Sequence, residues 1–170
     1  MTPVSTQSGG PGEPRSTDER AVGEAINILQ AHRIMAISTI RPDGWPQTTI
    51  VGYANEGLSL YFMILRSSQK YSNISRDDRV SIAVGDEPAH LHEAKAVFAG
   101  AHAIEVTGSA ERDRAWQLLE ARHPNLRAFE LPDSSDAVVM RAKCRHVSLV
   151  DYTKGLGHTE EFTATDTPAT

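Results

Sequence analysis

The densest run of anion-binding side chains in this 170-residue sequence is Arg66-Ser67-Ser68-Gln69-Lys70. A helix that begins at Ser67 or Ser68 presents free backbone N–H groups and the positive end of its dipole, and both favour an anion. Arg66 and Lys70 bring positive charge to the same place, and Gln69 adds an amide donor. A phosphate monoester uses most of these donors. Helix capping beside solvated cations explains the same residues, so the local chemistry leaves both interpretations open.

A second candidate is His90-x-His92-Glu93, with His102 further along the chain. Histidine and carboxylate side chains are suitable ligands for zinc or iron, and histidine also ligates haem iron. Alternate histidines in a loop or at a strand edge are more often simply exposed. We therefore predict no metal site.

The single cysteine, Cys144, lies between Lys143 and Arg145. Neighbouring cations can lower a thiol pKa and make the thiolate reactive. No Cys-x-x-Cys partner supports that role, so the sequence favours a half-buried strand cysteine. No cluster of acids, bases or nucleophiles stands out, and the sequence identifies no catalytic residue.

The overall composition predicts one intracellular domain. The net charge of −5 argues against a general nucleic-acid-binding protein, which is usually basic. One cysteine cannot form an intrachain disulfide and is compatible with a reducing cytoplasm. No apolar run approaches the roughly 20 residues of a membrane-spanning helix, and the N-terminus lacks a secretory signal. We expect a cytoplasmic protein that binds neither nucleic acid nor membranes.

The two ends of the chain differ in composition from the middle. Residues 1–16 and 159–170 are rich in small and polar residues and bury too little apolar surface to offset the entropy of ordering. Both are predicted to be disordered tails. The domain is therefore expected to span residues 17–158.

Changes in hydrophobic period divide this domain into a few helices and several strands. A first helix, capped by Thr17, precedes two β-rich runs at 34–40 and 47–53, which a Pro-Asp-Gly turn joins into a hairpin. Because antiparallel hairpins dominate, the sequence predicts an α+β antiparallel barrel or sheet rather than a βαβ fold. The remaining predicted elements are strands at 58–65, 79–84, within 95–110 and at 137–150, and helices at 67–76 and 110–123.

The order of motifs from residue 21 to 152 resembles the pyridoxamine-5′-phosphate-oxidase-like FMN-binding split barrels. No single motif is diagnostic, but their order and spacing together are specific. The resemblance implies a split β-barrel, antiparallel and Greek-key-like, with flanking helices. The matching motifs are Arg41-Pro42-Asp43-Gly44-Trp45-Pro46, Leu60-Tyr61-Phe62, Ser68-Gln69-Lys70 and Asp78-Arg79-Val80-Ser81.

The same resemblance implies a homodimer with FMN at the subunit interface. It places the cofactor phosphate on Ser68, Gln69 and Lys70. An Asp-Tyr-x-Lys-Gly-x-Gly-His end, found in some split-barrel proteins, adds Lys154 and His158 as contacts to the flavin or to a substrate anion. A polar exit into the tail explains these last two residues equally well. The residues implied to line the flavin are Gln47, Thr48, Thr49, Met63, Ile64 and Leu65.

Two departures from the vitamin oxidases limit the implied activity. Thr49 and Ala54 stand where those enzymes carry a basic pair, and residues 151–155 lack the Trp-Arg-Leu end that contacts the substrate phosphate. The expected function is an FMN-dependent oxidoreductase acting on an unidentified small organic substrate, not a true pyridoxamine-phosphate oxidase. A deazaflavin-dependent reductase and a non-enzymatic flavin or haem carrier or sensor remain as alternatives.

Overall fold

The computed structural model describes residues 19–126 and 136–164. The predicted tail at 1–16 lies outside them. No helix of the described part is long and apolar enough to cross a membrane. The helices are α1 (Glu19–Ala31), α2 (Gln69–Arg76) and α3 (Ser109–Arg122). The strands are β1 (Ile34–Ile40), β2 (Pro46–Glu56), β3 (Ser59–Leu65), β4 (Arg79–Gly85), β5 (Lys95–Glu105), β6 (Ala137–Asp151) and β7 (Thr159–Thr163).

Six of the strands close into an antiparallel barrel. Their order is β3-β2-β1-β4-β5-β6, and β3 pairs with β6 to complete the circle. The 15-residue β6 is long enough to pair with both β5 and β3. Because β1, β2 and β3 follow one another as hairpins and β4 returns beside β1, the connection is a Greek key. The predicted α+β split barrel is confirmed.

The barrel interior is filled by alternate side chains of its strands. In β1, Met35 and Ile37 are buried whereas Ile34 is 59% exposed, as expected when successive side chains point to opposite faces. Helix α1 packs against β2, β4, β5 and β6. Its Leu29 is fully buried, and its carbonyl accepts a hydrogen bond from the Tyr53 hydroxyl at 2.6 Å.

The barrel is split between β2 and β3. Cross-strand pairs between these two strands run only from Tyr53 with Phe62 to Glu56 with Ser59. Residues 46–52 of β2 pair with β1, and residues 63–65 of β3 pair with β6. Within the described residues, the first half of β2 and the end of β3 therefore border a gap in the sheet.

Strand β7 corrects the predicted C-terminal boundary. The sequence places disorder from residue 159 onward, but Thr159–Thr163 pairs with β6 from Val150 to His146. This prediction was wrong because the polar composition of the segment conceals what stabilises it. The edge of β6 supplies backbone hydrogen-bond partners, and the barrel core buries Phe162 to 8% exposure.

Glu160 holds β7 to its surroundings through three nitrogen-bearing side chains. Its carboxylate accepts hydrogen bonds from Lys154 Nζ at 3.0 Å, from His158 Nε2 at 3.2 Å and from Arg20 at 2.6 Å. The bond from Lys154, followed by those from His158 and Arg20, holds the pKa of Glu160 at about 2.

Replacing Glu160 with glutamine should destabilise the protein at pH 7 by about 1 kcal/mol, the order expected for a partly exposed ion-pair network. Because the folded pKa lies below the usual value near 4.3, the stabilisation is present above that value and is lost as the pH falls toward 2. Urea unfolding at pH 7 and pH 3 should show the wild type losing more stability than Glu160→Gln. Glu161→Gln, on the same strand, is the matched control. Equal losses in wild type and Glu160→Gln would contradict the assignment.

Candidate functional site

A cavity of about 350 Å³ opens at the gap between β2 and β3, a size typical of small-molecule sites. One wall comes from β2, another from the end of β3, and the third from the first turn of α2. The cavity is lined by Gln47, Thr49, Val51, Met63, Ile64, Leu65, Ser68, Gln69 and Lys70. The fold thus brings together the predicted phosphate segment and most of the predicted flavin-lining residues.

Ser68 is the N-cap of α2, and the backbone takes up its one hydroxyl proton. Ser68 Oγ donates to the Leu65 carbonyl at 2.6 Å and accepts from the Tyr71 N–H at 3.2 Å. The first intrahelical bond is donated by Ser72, so the N–H groups of Gln69 and Lys70 belong to the uncompensated first turn. The anion-binding capacity of this helix start therefore lies in its backbone N–H groups rather than in the serine hydroxyl.

Lys70 contributes a half-buried ammonium group to the same cavity. Burial lowers the pKa of Lys70 below its usual value, and no charged group opposes that effect. Within residues 19–126 and 136–164, no carboxylate pairs with it. Because a partly desolvated cation without a counterion is costly, Lys70 favours an anion brought by a ligand.

Thr49 presents a polar atom that lacks a partner. Its Oγ1 is buried and makes no hydrogen bond to any described residue. Buried polar atoms nearly always have a partner, so an orphan on a cavity wall indicates a bound molecule or an ordered water. A ligand with an anionic end for Lys70 and a polar edge for Thr49 fits this arrangement.

Arg66 and Ser67 are directed elsewhere. Arg66 forms a two-pronged ion pair with Glu105, at 2.5 and 2.9 Å, and donates to the Tyr71 hydroxyl at 2.9 Å. The Ser67 hydroxyl donates to the Asp136 carboxylate at 2.6 Å. Neither residue lines the cavity. Because both residues bind acidic partners from distant parts of the chain, the candidate anion-binding segment is reduced to residues 68–70.

A buried amide network supports the cavity wall. Asn73 is fully buried and donates to Thr39 Oγ1 at 3.0 Å and to Gln47 Oε1 at 3.1 Å. It accepts from Gln69 Nε2 at 2.9 Å. The network joins α2 to β1 and β2 and fixes the two cavity-lining amides. Asn73 was not among the predicted site residues, and its spacing of four residues from Gln69 is the only local signal of this role.

The family can be assigned once this geometry is known. The family model for pyridoxamine 5′-phosphate oxidase matches residues 22–151. The chain belongs to this family. No curated protein matches the sequence.

Solved structures show the same fold at low sequence identity. A heme binding protein from Mycobacterium smegmatis superposes with a TM-score of 0.74 at 20% identity, over 87% of this chain and 60% of that one. An FAD-binding protein from Mesorhizobium loti superposes with a TM-score of 0.62 at 23% identity, over 74% of this chain and 91% of that one. The heme storage protein HutZ from Vibrio cholerae superposes with a TM-score of 0.60 at 16% identity, over 72% of this chain and 89% of that one. This chain thus spans less than two thirds of the mycobacterial protein.

Thr48 does not line the cavity, although Gln47 and Thr49 on either side of it do. Its hydroxyl lies 2.7 Å from Ser38 Oγ on the exposed side of the β1–β2 hairpin. Gln47 and Thr49 face the cavity, and alternation along a strand turns the residue between them away. On β2, alternate residues rather than consecutive ones therefore line the cavity.

Lys154 and His158 belong to a different cluster. Both contact Glu160, and Lys154 also lies 3.4 Å from Glu24 and 3.7 Å from Asp151. None of these residues lines the cavity. Within one chain, the Lys-Gly-x-Gly-His segment therefore holds β7 and α1 to the barrel.

The remaining candidate residues from the sequence are three histidines and Cys144. The rings of His90 and His92 stack at 5.5 Å, and His102 Nδ1 lies 3.0 Å from an Asp78 carboxylate oxygen. Among residues 19–126 and 136–164, no group of three or more His, Cys, Asp or Glu side chains is placed to hold a metal ion. Burial raises the pKa of Cys144 to about 12, so its thiol is inert rather than activated by neighbouring cations.

Proposed function

We propose that this protein binds FMN in the cavity at the β2–β3 gap and is an FMN-dependent oxidoreductase acting on a small organic substrate. The observation that carries the proposal is Lys70, a half-buried ammonium without a counterion in the described chain, at the start of a helix. A phosphate monoester supplies the missing charge. The family match over residues 22–151 supports the same cofactor class.

Each part of the cavity suits one part of FMN. Lys70 Nζ and the N–H groups of Gln69 and Lys70 bind the phosphate. Residues 63–65 form an apolar wall for the flavin ring, and Thr49 Oγ1 meets a polar edge of the ligand. When bound, FMN supplies the hydride chemistry, and the chain supplies binding, orientation and exclusion of water.

The substrate is unlike pyridoxamine phosphate. Ala54, at one position where the vitamin oxidases are basic, is 2% exposed and packs under α3 with Leu119. Thr49, at the other position, is neutral. Without either cation, the flavin phosphate has fewer partners than in the vitamin oxidases, and residues 151–155 lack the end that contacts the substrate phosphate in those enzymes.

The proposed assembly is a homodimer with the cofactor at its interface. One row of directly opposed residues crosses the outer barrel face, from Ile50 through Ala36 and Ala83 to Phe98. Ile50 is 63% exposed and Phe98 is 46% exposed. Large apolar side chains around small ones make a flat surface that a second copy can cover. Ile50 lies on β2 between the cavity-lining Thr49 and Val51, which supports an interface beside the proposed cofactor site.

Phe98→Glu should convert the dimer to monomer, because it buries an unpaired carboxylate at the proposed interface. Ile104→Glu is the matched control, since Ile104 lies on the same strand and is 45% exposed but outside the row. Sedimentation velocity should give dimeric wild type and control, and a monomeric Phe98→Glu. A wild-type monomer at micromolar concentration would refute the assembly.

The cofactor proposal is tested by the visible spectrum of the purified protein and by FMN titration of the flavin-free form. Flavin absorption and saturable quenching of FMN fluorescence are expected. Bound flavin that is reduced by NADH or NADPH and reoxidised with turnover would exclude a carrier or sensor. Tighter binding of the deazaflavin coenzyme, or a Soret band after haem addition, would replace FMN with that cofactor.

A cytoplasmic location completes the proposal. The single cysteine is buried and unpaired, as in proteins of a reducing compartment.

A further inference from the structure

A second cavity, of about 370 Å³, lies beside the first. It is lined by Ile34, Gly52, Met63, Ile64, Leu65, Leu119, His123 and Leu126. Residues 63–65 line both cavities. By alternation, Gly52 belongs to the face of β2 opposite Thr49 and Val51, so the two cavities adjoin the β2–β3 gap from its two sides.

The lining of the second cavity selects against charge. Seven of its eight described lining residues are apolar or glycine, and the eighth is His123. Among residues 19–126 and 136–164, no lysine, arginine or carboxylate lines it. Because an ion buried without a partner is strongly disfavoured, a phosphorylated or carboxylated molecule does not suit this cavity. An apolar molecule gains from the removal of its surface from water.

Within the described lining, His123 supplies the one polar side chain. Its Nε2 lies 2.9 Å from the Tyr53 carbonyl oxygen. A carbonyl can only accept, so Nε2 carries a proton, and Nδ1 is an acceptor in the tautomer that has this single ring proton. No described residue donates to Nδ1. A ligand with an O–H or N–H group would complete this bond.

Gly52 makes room for the imidazole. A Cβ atom at this position would lie 3.1 Å from His123 Cε1 and 3.3 Å from Nε2. These distances are shorter than ordinary carbon contacts, so any side chain at 52 displaces the ring. A glycine inside a strand often marks such a close approach.

We propose that this second cavity is the substrate subsite, and that it takes an uncharged, largely apolar small molecule with a hydrogen-bond donor for His123 Nδ1. The ligand class follows from the lining residues alone. Its role as substrate rests on the proposed function, because residues 63–65 would touch both this ligand and the flavin ring.

The test uses three probes of similar shape: p-cresol, toluene and 4-methylbenzoate. Calorimetric titrations at pH 8 into the flavin-free and FMN-loaded protein should show saturable binding of p-cresol. Toluene, which lacks the donor, should bind roughly 3- to 10-fold more weakly, as expected for one hydrogen bond between neutral groups. The anionic 4-methylbenzoate should not bind.

Substitutions of two lining residues test whether the probes bind in this cavity. His123→Phe should lower the affinity for p-cresol to that for toluene. His123→Gln keeps both a donor and an acceptor and should restore the difference in affinity between the two probes. Gly52→Ala should weaken both ligands. Gly23→Ala is the matched control, because a Cβ at that position meets nothing within 4 Å. Absence of p-cresol binding, or binding unaffected by Gly52→Ala and His123→Phe, would overturn the proposal.

FMN titration of the same samples separates the two proposals. FMN binding without p-cresol binding refutes the subsite and leaves the cofactor proposal standing. Binding of p-cresol without FMN refutes the cofactor proposal and leaves the ligand class of the second cavity standing. Because His123→Gln retains the bond to the Tyr53 carbonyl, its result holds even where His123→Phe disturbs folding.

Discussion

Replacing Lys70 with alanine should weaken FMN binding about 10- to 150-fold, which corresponds to the roughly 1.5–3 kcal/mol of a hydrogen bond to a charged group. The loss is expected to be large because Lys70 has no other counterion among the described residues. The flavin-free protein should be at least as stable as the wild type, since a partly desolvated cation has been removed. Fluorescence-quench titration with FMN and thermal unfolding measure the two effects.

Three further variants test whether the charge of Lys70 is responsible for FMN binding. Lys70→Met keeps the length of the side chain and should bind FMN as weakly as Lys70→Ala, whereas Lys70→Arg should retain most of the FMN affinity. Lys95→Ala is the matched control, because Lys95 pairs with Asp151 at 3.4 Å and does not line the cavity. Unchanged FMN affinity in Lys70→Met would show that the phosphate binds elsewhere.

The pH dependence of FMN binding should follow the same residue. Burial lowers the pKa of Lys70, so the ammonium loses its proton at a lower pH than an exposed lysine does. FMN affinity should therefore fall as the pH rises from 8 to 10, and this fall should be absent in Lys70→Met.

Replacing Asn73 with alanine should destabilise the protein by about 2–4 kcal/mol, because three side-chain hydrogen bonds of about 1 kcal/mol each are lost and buried groups are left unpaired. Thr39, which is 1% exposed, loses its partner in the variant. The melting temperature should fall by roughly 5–15 °C. FMN affinity should also fall, since Gln47 and Gln69 are no longer held in the cavity wall.

Asn27→Ala is the matched control, because Asn27 is an exposed asparagine on α1 and surface substitutions usually change stability by less than about 0.5 kcal/mol. Gln69→Ala removes one bond of the network and should have an intermediate effect on stability. If Asn73→Ala melts like Asn27→Ala, the network does not stabilise the fold.

The elements around the site were predictable because their signals are local. Pro42, Asp43 and Gly44 specify the turn between β1 and β2, and Gly44 has the positive φ of 85° that such a turn requires. Ser68 is recognisable as a helix cap from its type and position, and it caps α2. β7 was missed because its stabilisation comes from an edge of β6 and the burial of Phe162, and neither is visible in the segment itself.

The grouping of side chains was less predictable. The sequence treats Arg66 and Lys70 alike, as two cations flanking two serines. The fold brings Glu105 from β5 to Arg66 and leaves Lys70 without a counterion in the described chain. Lys154 and His158 were candidates for the same ligand, and Glu160 holds both of them elsewhere. Partners distant in the chain decide which charges remain for a ligand.

By itself, the sequence determined the order of strands and turns from β1 to β6, the capped start of α2, and a candidate anion-binding segment at residues 66–70. These depend on backbone preferences and on side-chain periods within a few residues. Only the tertiary structure decided that the segment faces a gap between β2 and β3, and that residues 68–70 rather than Arg66 and Ser67 face the cavity. The physical reason is that burial and pairing of a charge depend on groups far away in the chain, such as Glu105 and Asp136.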